Sequence, residues 1–269
     1  MKTSRIRKSP EITLVYVNFR SVGLLRRSLR ALSKQRIFFR NIEIIVINND
    51  PSEAWALRAL SREFPLRFIE VRKNKGFGSA ANLAVRHVRT PYIGFINPDT
   101  ELLSGNIGII PDLFRKHPHI GVLGARLVSH ENAPELWSAG EDITLWQVIR
   151  NNVGIPAGKR IWKSGKPRKA GFVSGAALFT RKDLFDEVGG FDEGFFLYFE
   201  DADFCLRLKR IGYRIFSFPG IIFRHDGGAS HASSRAKKEA FYESQERYFG
   251  KHRPKWEGRI LSVMKRIFL

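Results

Sequence analysis

The sequence ITLVYV at residues 12–17 is almost continuously apolar and rich in β-branched residues. Such a run is typical of a parallel strand that is buried on both faces of its sheet. The turn NFRS at residues 18–21 follows and leads into a helical pattern with leucines on one face, for which Ser21 is the predicted N-cap. A second strand of the same kind, IEIIVI, covers residues 42–47. Strand, helix and strand in this order predict a βαβ unit and hence a parallel sheet.

Further buried strands at residues 66–71 and 92–96 extend the predicted sheet. The remaining elements predicted from apolar spacing are strands at 120–127, 172–179 and 213–218 and helices at 102–116 and 182–188. Ligands of parallel α/β sheets bind beyond the carboxyl ends of the strands. The polar residues that follow these strands are therefore candidates for a binding site.

Several strand ends carry residues suited to a phosphate or a cation. After the third strand, Gly76 and Gly78 open a helix and allow a diphosphate to approach the backbone closely. After the fourth, the turn NPDT at residues 97–100 presents Asp99, either as an ordinary turn residue or as a cation ligand. Two histidines surround a glycine turn after the last strand, and His225 among them is either structural or a metal ligand.

The segment GGFDEGFFLYFEDADFCLR at residues 189–207 brings three carboxylates to a predicted loop-to-helix junction. Carboxylates in a first helical turn are stabilised by the helix dipole, and Asp203 has Arg207 four residues later as a salt-bridge partner. Glu200 and Asp201 directly follow a bulky aromatic run, and such an apolar wall tunes protonation as a general base requires. The segment therefore predicts a well-capped helix that carries Asp201 as the candidate base.

The length, composition and net charge limit the classes to which this protein can belong. The 269 residues are 43% hydrophobic, enough for one large or two small globular domains. The one cysteine, Cys205, excludes an internal disulfide framework and is expected to pack in the core. A formal net charge of +20 requires an anionic partner, which could be nucleic acid, anionic lipid or a phosphorylated substrate. No apolar run is long enough to span a bilayer, so a cytosolic or membrane-surface location is expected.

Basic residues concentrate at both ends of the chain and in one internal segment. The N-terminal group consists of Lys2, Arg5, Arg7 and Lys8. The internal segment, residues 159–169, holds six basic residues in eleven and is predicted to be a solvated, mobile loop. Near the C-terminus an apolar stripe at helical spacing lies among further basic residues; its members are Trp256, Ile260, Leu261, Met264, Ile267, Phe268 and Leu269. This helix either packs on the domain or lies in an anionic membrane interface.

Taken together, the motifs resemble the inverting family 2 glycosyltransferases of GT-A fold, closest to the rhamnosyltransferase-like branch that builds cell-surface polysaccharides. The resemblance covers nearly all of residues 11–231. It rests on VNFRS at 17–21, NKGFG at 74–78 with Asn82, NPD at 97–99, GAA at 175–177, GFDE at 190–193, FEDAD at 199–203, and His225 followed by Gly228 and Ser230. Each segment is common alone, whereas their order and spacing together are specific.

The resemblance implies a GT-A fold, an α/β fold whose Rossmann-like, mostly parallel central sheet is flanked by helices. A basic amphipathic helical tail follows it. The implied domains are a basic N-terminal tail at 1–10, the transferase domain at 11–231 and the helical tail at 232–269. Within the transferase domain, residues 11–100 would bind the sugar nucleotide and residues 101–231 would form the acceptor side.

The resemblance also implies the chemistry. A sugar would move with inversion from a nucleoside diphosphate sugar, dTDP-rhamnose being one candidate, to a glycan or polyprenyl-diphosphate-linked acceptor. Asp99 and His225 would hold a divalent cation, Mg²⁺ or Mn²⁺. Asp201 would be the catalytic base, with Glu200 and Asp203 orienting it. The donor would contact Asn18, Phe19, Asn48, Asn49, Asn74, Gly76, Phe77, Asn82, Asn97 and Asp99.

Two positions depart from the family pattern. Asn48 and Asn49 stand where many relatives have Asp-Asn, so an amide or the neighbouring Asp50 would have to read the nucleobase. Asn97 replaces the first acid of the metal-binding DxD motif, which leaves Asp99 as the main anionic ligand. The three basic clusters predict a location in the cytoplasm, peripheral on the inner face of the cytoplasmic membrane, with an anionic membrane surface and no nucleic acid among the partners.

Three other classes of protein remain open. A nucleic-acid binder would explain the charge of +20 and the 12% aromatic residues, but no recognition motif is present and acids cluster at the predicted strand ends. A sugar-nucleotide nucleotidyltransferase would carry a glycine-rich, basic signature after the first strand, where this chain has NFRS. A binding-only relative is disfavoured by the presence of Asp99, Asp201 and His225.

Overall fold

The computed structural model describes residues 9–35, 41–136, 138–152, 159–225 and 234–268. The predicted N-terminal basic group and the motif residues Gly228 and Ser230 lie outside the described residues, as do Leu269 and His231, the second histidine after the last strand. The domain boundary predicted at residue 231 also lies there and stays a prediction.

The chain alternates strands and helices through most of its length. The strands are β1 Ile12–Asn18, β2 Ile42–Asn48, β3 Arg67–Glu70, β4 Tyr92–Ile96, β5 Thr100–Ser104, β6 Ile120–Val128, β7 Ala139–Gly140, β8 Arg168–Ala170, β9 Phe172–Val173, β10 Ala177–Arg181 and β11 Arg214–His225. The helices are α1 Val22–Ser33, α2 Ala54–Glu63, α3 Phe77–Val85, α4 Ile110–Lys116, α5 Leu145–Asn152, α6 Lys159–Trp162, α7 Lys182–Glu187, α8 Glu200–Arg210, α9 Ser234–His252 and α10 Lys255–Phe268.

Nine strands of the described chain form one sheet in the order β3-β2-β1-β4-β10-β6-β11-β5, with β8 added on β11. β1 pairs parallel with β2 and β4, as their continuous apolar runs predict. β2 also pairs parallel with β3, but β3 lies at the edge of the sheet and its residues are exposed or only partly buried, so the burial predicted for this strand is wrong. β10 is antiparallel to β4 and β6, whereas β11 is parallel to β6 and antiparallel to β5 and β8. The predicted α/β sheet with flanking helices and a helical C-terminal tail is confirmed.

Apolar side chains cover both faces of the sheet. On one face the leucines of α1 pack on β1 and β2, and on the other α3, α7 and α8 contribute Ala81, Phe185 and Phe204. Cys205 is fully buried in the second cluster, where burial raises the pKa of its thiol to about 12, so the packing role predicted for it is confirmed. A third cluster joins the loop before α8 to the two C-terminal helices.

Four local predictions were wrong in their bounds. Residues 102–104, predicted as the start of a helix, belong to β5, because pairing with β11 outweighs their weak helical pattern. The strand predicted at 172–179 is split into β9 and β10 by a turn at 174–176. β11 continues through Pro219 and Gly220. The register with β6 shifts between Phe218 and Ile222, so the pairing needs no hydrogen bond from the backbone N–H that Pro219 lacks. The basic segment 159–169 contains α6 and β8, and β8 is hydrogen-bonded to β11.

Candidate active site

The carboxylate of Asp99 is presented by the turn that joins β4 to β5. The carbonyl of Asn97 accepts hydrogen bonds from the N–H of Thr100 at 3.2 Å and from its hydroxyl at 2.8 Å, which closes the turn. The N–H of Asn97 donates to the carbonyl of Ala176 at 3.0 Å and ties the turn to the segment before β10. Asp99 is therefore held at the carboxyl end of β4.

His225 meets Asp99 because β11 and β5 pair antiparallel, with His225 opposite Thr100. The Nε2 atom of His225 lies 3.3 Å from Oδ1 of Asp99, and the two side chains are only 12% and 15% exposed. Burial lowers the pKa of His225, but hydrogen bonds to Asp99 and Glu135 outweigh it and raise this pKa to about 10. A divalent cation would replace the proton on Nε2, since metal binding releases ligand protons. The pair thus offers one nitrogen and one oxygen ligand to such an ion.

Glu135 is a site residue that the sequence analysis missed. Its carboxylate accepts the Nδ1–H of His225, with Oε2 at 2.8 Å and Oε1 at 3.0 Å from the nitrogen. Glu135 lies in the loop between β6 and β7, a segment without apolar periodicity and outside every motif. No local signal in the sequence marks it, because only the folded sheet brings this loop to the end of β11.

Asp201 lies in the first turn of α8 and faces the segment before β10. Its Oδ2 accepts the N–H of Gly175 at 2.8 Å, and its Oδ1 accepts the N–H of Ala202 at 2.7 Å. Tyr198 and Phe199, which lead into the helix, adopt left-handed backbone angles with φ of 69° and 65°. Bulky residues rarely adopt this conformation, and such local strain is concentrated at functional sites. Burial raises the pKa of Asp201 even though the two N–H bonds oppose it.

The other two predicted acids have different surroundings. Glu200 is buried, its Oε2 has no hydrogen-bond partner among the described residues, and burial together with the charge of Asp201 raises its pKa. Asp203 is fully buried and points away from Asp201's surroundings, toward Arg207, Lys251 and His252, which each approach it to 2.7 Å. The predicted pairing of Asp203 with Arg207 is present in the structure. Asp203 therefore anchors α8 to α9, and its predicted part in orienting Asp201 stays a prediction.

A cavity of about 650 Å³ brings most of these groups together, a size typical of small-molecule sites. Asn97, Glu135, His225, Glu200 and Asp201 contribute its polar and charged wall. Much of the remaining wall is apolar or aromatic, and includes Phe77, Leu136, Ile143, Val148, Phe172, Leu197, Tyr198, Phe199, Phe241 and Tyr242. A ligand bound here would meet a carboxylate on one side and apolar surface on another.

Helix α9 closes one side of this cavity, a position that no motif of the sequence predicts. Phe241, Tyr242 and Gln245 of this helix line the cavity. The hydroxyl of Ser244 donates to the carbonyl of Leu197 at 2.7 Å, which fixes the helix to the loop before α8. The composition of this helix gave no signal, because its polar and apolar residues show little helical segregation.

The predicted donor contacts after β1 and β2 have mixed outcomes. Asn18 is fully buried and its amide is used within the protein: it donates to Asn48 at 3.2 Å and to Glu53 at 2.8 Å. Glu53 also accepts the N–H of Ser21 at 3.0 Å, so Glu53 caps α1 in place of the Ser21 side chain. Asn18 thus has a structural role at this edge of the sheet, and its predicted contact with the donor stays a prediction. Asn48 is also buried, but its Nδ2 has no hydrogen-bond partner among the described residues, and its contact with the donor stays a prediction.

Phe19 and Asp50 belong to a second group at the same edge. The guanidinium of Arg20 lies 5.3 Å from the centre of the Phe19 ring and 2.9 Å from the Asp50 carboxylate. Hydrogen bonds from Ser52 and Arg20 lower the pKa of Asp50. The carboxylate of Asp50 is thus already bound within the protein, while Phe19 is partly exposed and remains available.

The segment before α3 is held in place by its own polar residues. Asn74 accepts the N–H of Gly76 at 2.8 Å and the amide of Asn49 at 3.2 Å. Gly76 has a φ of 94°, and a Cβ at this position would lie 2.2 Å from the carbonyl oxygen of Phe196. Phe77 donates its N–H to the same carbonyl at 3.1 Å and lines the cavity. Asn49, Asn74 and Gly76 therefore join the segments after β2 and β3 to the loop that leads to α8.

Asn82, predicted to contact the donor, has another role. Its Nδ2 donates to the carbonyl of Phe191 at 2.9 Å, and its Oδ1 accepts the N–H of Phe191 at 2.9 Å. Nδ2 also donates to Glu193 at 3.1 Å. Its side-chain amide therefore holds the 191–193 segment against α3, and its predicted contact with the donor stays a prediction.

The tail helix α10 is divided between packing and exposure. Leu261 is buried against α9, whereas Trp256, Ile260 and Val263 are 57%, 40% and 60% exposed. These three residues recur at helical spacing and form one exposed apolar face. Among the described residues, no helix combines the length and apolar character needed to cross a membrane.

Comparisons with known proteins place these features in a family. The model of the family described as Glycosyl transferase family 2 matches residues 13–189, which is more than half of the chain. A second family model, described as Glycosyl transferase family group 2, matches residues 158–254.

Two curated relatives illustrate the range of similarity. The chain is 25% identical over 193 residues to an N-acetylglucosaminyl-diphospho-decaprenol L-rhamnosyltransferase of Mycobacterium tuberculosis, with 65% of this chain and 63% of that protein covered. It is 22% identical over 206 residues to a low-salt glycan biosynthesis hexosyltransferase of Haloferax volcanii, with 74% and 62% covered. The chain thus matches slightly less than two thirds of the length of these relatives.

Solved structures share the architecture. A mannosyltransferase from Pyrobaculum calidifontis in complex with GDP-Man and Mn²⁺ superposes with a TM-score of 0.63 at 16% identity, over 97% of this chain and 70% of that one. GalNAc-T7 with UDP, GalNAc and Mn²⁺ also gives 0.63, at 12% identity over 90% of this chain and 48% of that one. These likenesses confirm the GT-A fold expected from the sequence.

Proposed function

The chain belongs to glycosyl transferase family 2, and on that premise we propose that it transfers a sugar from a nucleoside diphosphate sugar to an acceptor hydroxyl during cell-surface polysaccharide synthesis. One observation carries this proposal: Asp201 and His225 line the same cavity of about 650 Å³, with Asp99 3.3 Å from His225. A base and a cation-binding pair on one cavity are the two groups that a displacement at an anomeric carbon requires.

A divalent cation would be held by Asp99 and His225. Their oxygen and nitrogen are close together and mostly buried, which suits Mg²⁺ or Mn²⁺, and the two structural neighbours named above contain Mn²⁺. Among the described residues, no group of three or more histidine, cysteine, aspartate and glutamate side chains is arranged to hold an ion alone. The diphosphate of the donor would therefore supply further oxygen ligands. When bound, the cation offsets the charge that develops on the departing diphosphate.

Asp201 would act as the general base. An acceptor hydroxyl attacks the anomeric carbon as the bond from that carbon to the diphosphate oxygen breaks, and the hydroxyl proton passes to Asp201. Attack from the face opposite the diphosphate inverts the configuration in one displacement. The N–H groups of Gly175 and Ala202 hold the carboxylate in position for this transfer. Glu200, buried beside it, would help to orient Asp201.

The donor and the acceptor follow from different observations. The relative from Mycobacterium tuberculosis is named for L-rhamnosyl transfer to a diphospho-decaprenol-linked sugar, which supports dTDP-rhamnose as a candidate donor and a polyprenyl-diphosphate-linked or glycan acceptor. Nδ2 of Asn48, which lacks a partner among the described residues, is the group we assign to the nucleobase. The apolar wall formed by Leu197, Phe199 and Phe241 suits an acceptor with an apolar part.

We also propose that the protein works in the cytoplasm, peripheral on the inner face of the cytoplasmic membrane. The exposed apolar face of α10 lies beside the exposed basic residues Lys255 and Arg259, an arrangement that fits an anionic membrane interface. The division into a donor half at 11–100, an acceptor half at 101–231 and a membrane-directed tail from 232 is part of this proposal.

The test of this function is a binding screen. Titration calorimetry of the full chain with dTDP-, UDP- and GDP-sugars, with Mn²⁺ and then with chelator, should identify a donor that binds only with the ion. Asp99→Ala and His225→Ala should each weaken that binding, because each removes one ligand of the ion.

The matched controls are Asp183→Ala and His87→Ala, which should bind the donor like the wild type. Both residues are exposed, and neither is among the residues that line the cavity. Donor affinity indifferent to chelator and to both site variants would contradict the metal assignment. Binding of DNA or RNA at moderate salt, with no sugar nucleotide bound, would overturn the enzyme proposal altogether.

A further inference from the structure

The two ring nitrogens of His225 face two different carboxylates. Nε2 lies 3.3 Å from Oδ1 of Asp99, and Nδ1 lies 2.8 Å from Oε2 of Glu135. The ring is almost fully buried between them, so its orientation is set by these two neighbours. Only the Nε2 side is directed toward the residue that would share a cation.

Glu135 decides which nitrogen is available. An ionised carboxylate only accepts hydrogen bonds, so the nitrogen that faces it must carry a hydrogen. Both oxygens of Glu135 lie within 3.0 Å of Nδ1, which ties the proton to that atom. Nε2 is then the only nitrogen of His225 that can offer a lone pair to a metal ion.

The position of Glu135 is itself built by the fold. Its N–H donates to the carbonyl of Leu127 at 3.0 Å, and its carbonyl accepts the hydroxyl of Ser138 at 2.9 Å. An isolated bridge pairs Pro134 with Val128 at the end of β6. The backbone is thus held on both sides of Glu135, unlike that of a residue in a freely moving surface loop.

We propose that Glu135 is a positioning residue for the metal site: it fixes the ring of His225 and its Nδ1–H tautomer so that Nε2 binds the divalent cation beside Asp99. This inference rests on the proposed function, because it deepens the cation site assigned there. Carboxylates that hold a metal-binding imidazole typically change metal affinity by about 10–100-fold when removed. We expect the same range here.

The test measures metal binding instead of turnover. Mn²⁺ is titrated into the full chain in the presence of dTDP, and free Mn²⁺ is followed by electron paramagnetic resonance. Glu135→Ala should weaken Mn²⁺ binding by about 10–100-fold. The Mn²⁺ affinity of Glu135→Gln should lie between those of Glu135→Ala and the wild type, because the amide oxygen still accepts the Nδ1–H but carries no charge. The matched control is Glu131→Ala, an exposed glutamate four residues earlier in the same loop, which should bind Mn²⁺ like the wild type.

A spectroscopic measurement separates positioning from general loss of structure. In the Mg²⁺- and dTDP-bound protein, long-range ¹H–¹⁵N correlation spectra should show His225 protonated on Nδ1 alone, and Glu135→Gln should broaden this signal or mix the tautomers. If Glu135→Ala does not fold, as judged by circular dichroism, Glu135→Gln decides the question. Wild-type Mn²⁺ affinity and tautomer in Glu135→Gln would then overturn the proposal.

The Mn²⁺ affinities of the variants distinguish an error about Glu135 from an error about the cation site itself. If Asp99→Ala and His225→Ala weaken Mn²⁺ binding while Glu135→Ala equals Glu131→Ala, the site stands and the role of Glu135 is wrong. If neither Asp99→Ala nor His225→Ala changes Mn²⁺ binding, the proposed cation site itself is wrong.

Discussion

Among single residues, Asp201 has the surroundings expected of a base. Two N–H groups hold its carboxylate and burial raises its pKa. We predict that Asp201→Asn lowers the rate of sugar transfer by about 10²–10⁴-fold, because the proton acceptor is lost. Donor binding should be nearly unchanged, since the shape of the side chain is kept. The measurement is the transfer rate, with the donor identified by the binding screen.

The pH dependence of transfer follows from the same residue. Asp201 accepts a proton only when ionised, so transfer should decline as pH falls through its pKa. Because this pKa is raised above the ordinary value of 3.8, the acid limb of kcat should lie above that value. An acid limb at or below 3.8, or a loss of less than about tenfold in Asp201→Asn, would contradict the assignment.

Asp203→Asn is the informative comparison for Asp201→Asn, since it changes the same atoms two residues away. Asp203 is fully buried among Arg207, Lys251 and His252, and the hydrogen bond from Lys251 and the charge of Arg207 lower its pKa despite its burial. The stability it contributes is therefore present above its unfolded pKa and is lost as pH falls through its folded pKa. Asp203→Asn should reduce the free energy of unfolding more than the transfer rate. If it were the less active of the two variants, the two roles would be reversed.

At the scale of elements, the contact of Gly76 with Phe196 joins the start of α3 to the loop before α8. We predict that Gly76→Ala lowers the free energy of unfolding by at least about 1–3 kcal/mol, the range for a strained left-handed residue. The added Cβ would also overlap the Phe196 carbonyl, which lies 2.2 Å away. Urea unfolding measures the change.

Gly23→Ala in the first turn of α1 is the matched control for Gly76→Ala. No heavy atom lies within 4 Å of a Cβ added there. Its stability should be unchanged or raised by up to about 1 kcal/mol. Equal unfolding free energies for the two alanine variants would show that the Gly76 contact does not constrain the loop.

At the scale of the whole molecule, the net charge of +20 and the exposed face of α10 call for a test with membranes. We predict that the full chain sediments with vesicles containing phosphatidylglycerol but not with neutral vesicles, and that high salt weakens binding. Each basic residue near an anionic surface contributes on the order of 1 kcal/mol, which salt screens. Replacing both Trp256 and Ile260 by serine should reduce binding at least about tenfold, since two apolar side chains no longer insert.

Trp55→Ser is the control for the vesicle experiment, because Trp55 is 80% exposed on α2, outside the tail. Its vesicle binding should equal that of the wild type. Equal and negligible binding to both vesicle types would leave the charge without a membrane role and favour a soluble acceptor.

The parallel half of the sheet and the segment that carries the acids could both be predicted from local sequence patterns. The apolar runs of β1, β2 and β4 can be read locally, because a strand buried on both faces must be apolar at nearly every position. The loop-to-helix junction that carries Asp201 was also visible in the sequence, since aromatic residues, carboxylates and helical spacing follow one another within one segment.

The tertiary structure alone decided which distant residues meet. Glu135 contacts His225 across 90 positions of sequence, and α9 reaches the cavity from a segment that carries no motif. β5 is a strand because β11 pairs with it. Asn82 supports the 191–193 segment, which takes all of its side-chain hydrogen bonds. The physical reason is common to these cases: hydrogen-bonding and packing partners far apart in the chain leave no periodic pattern in the segments that they join.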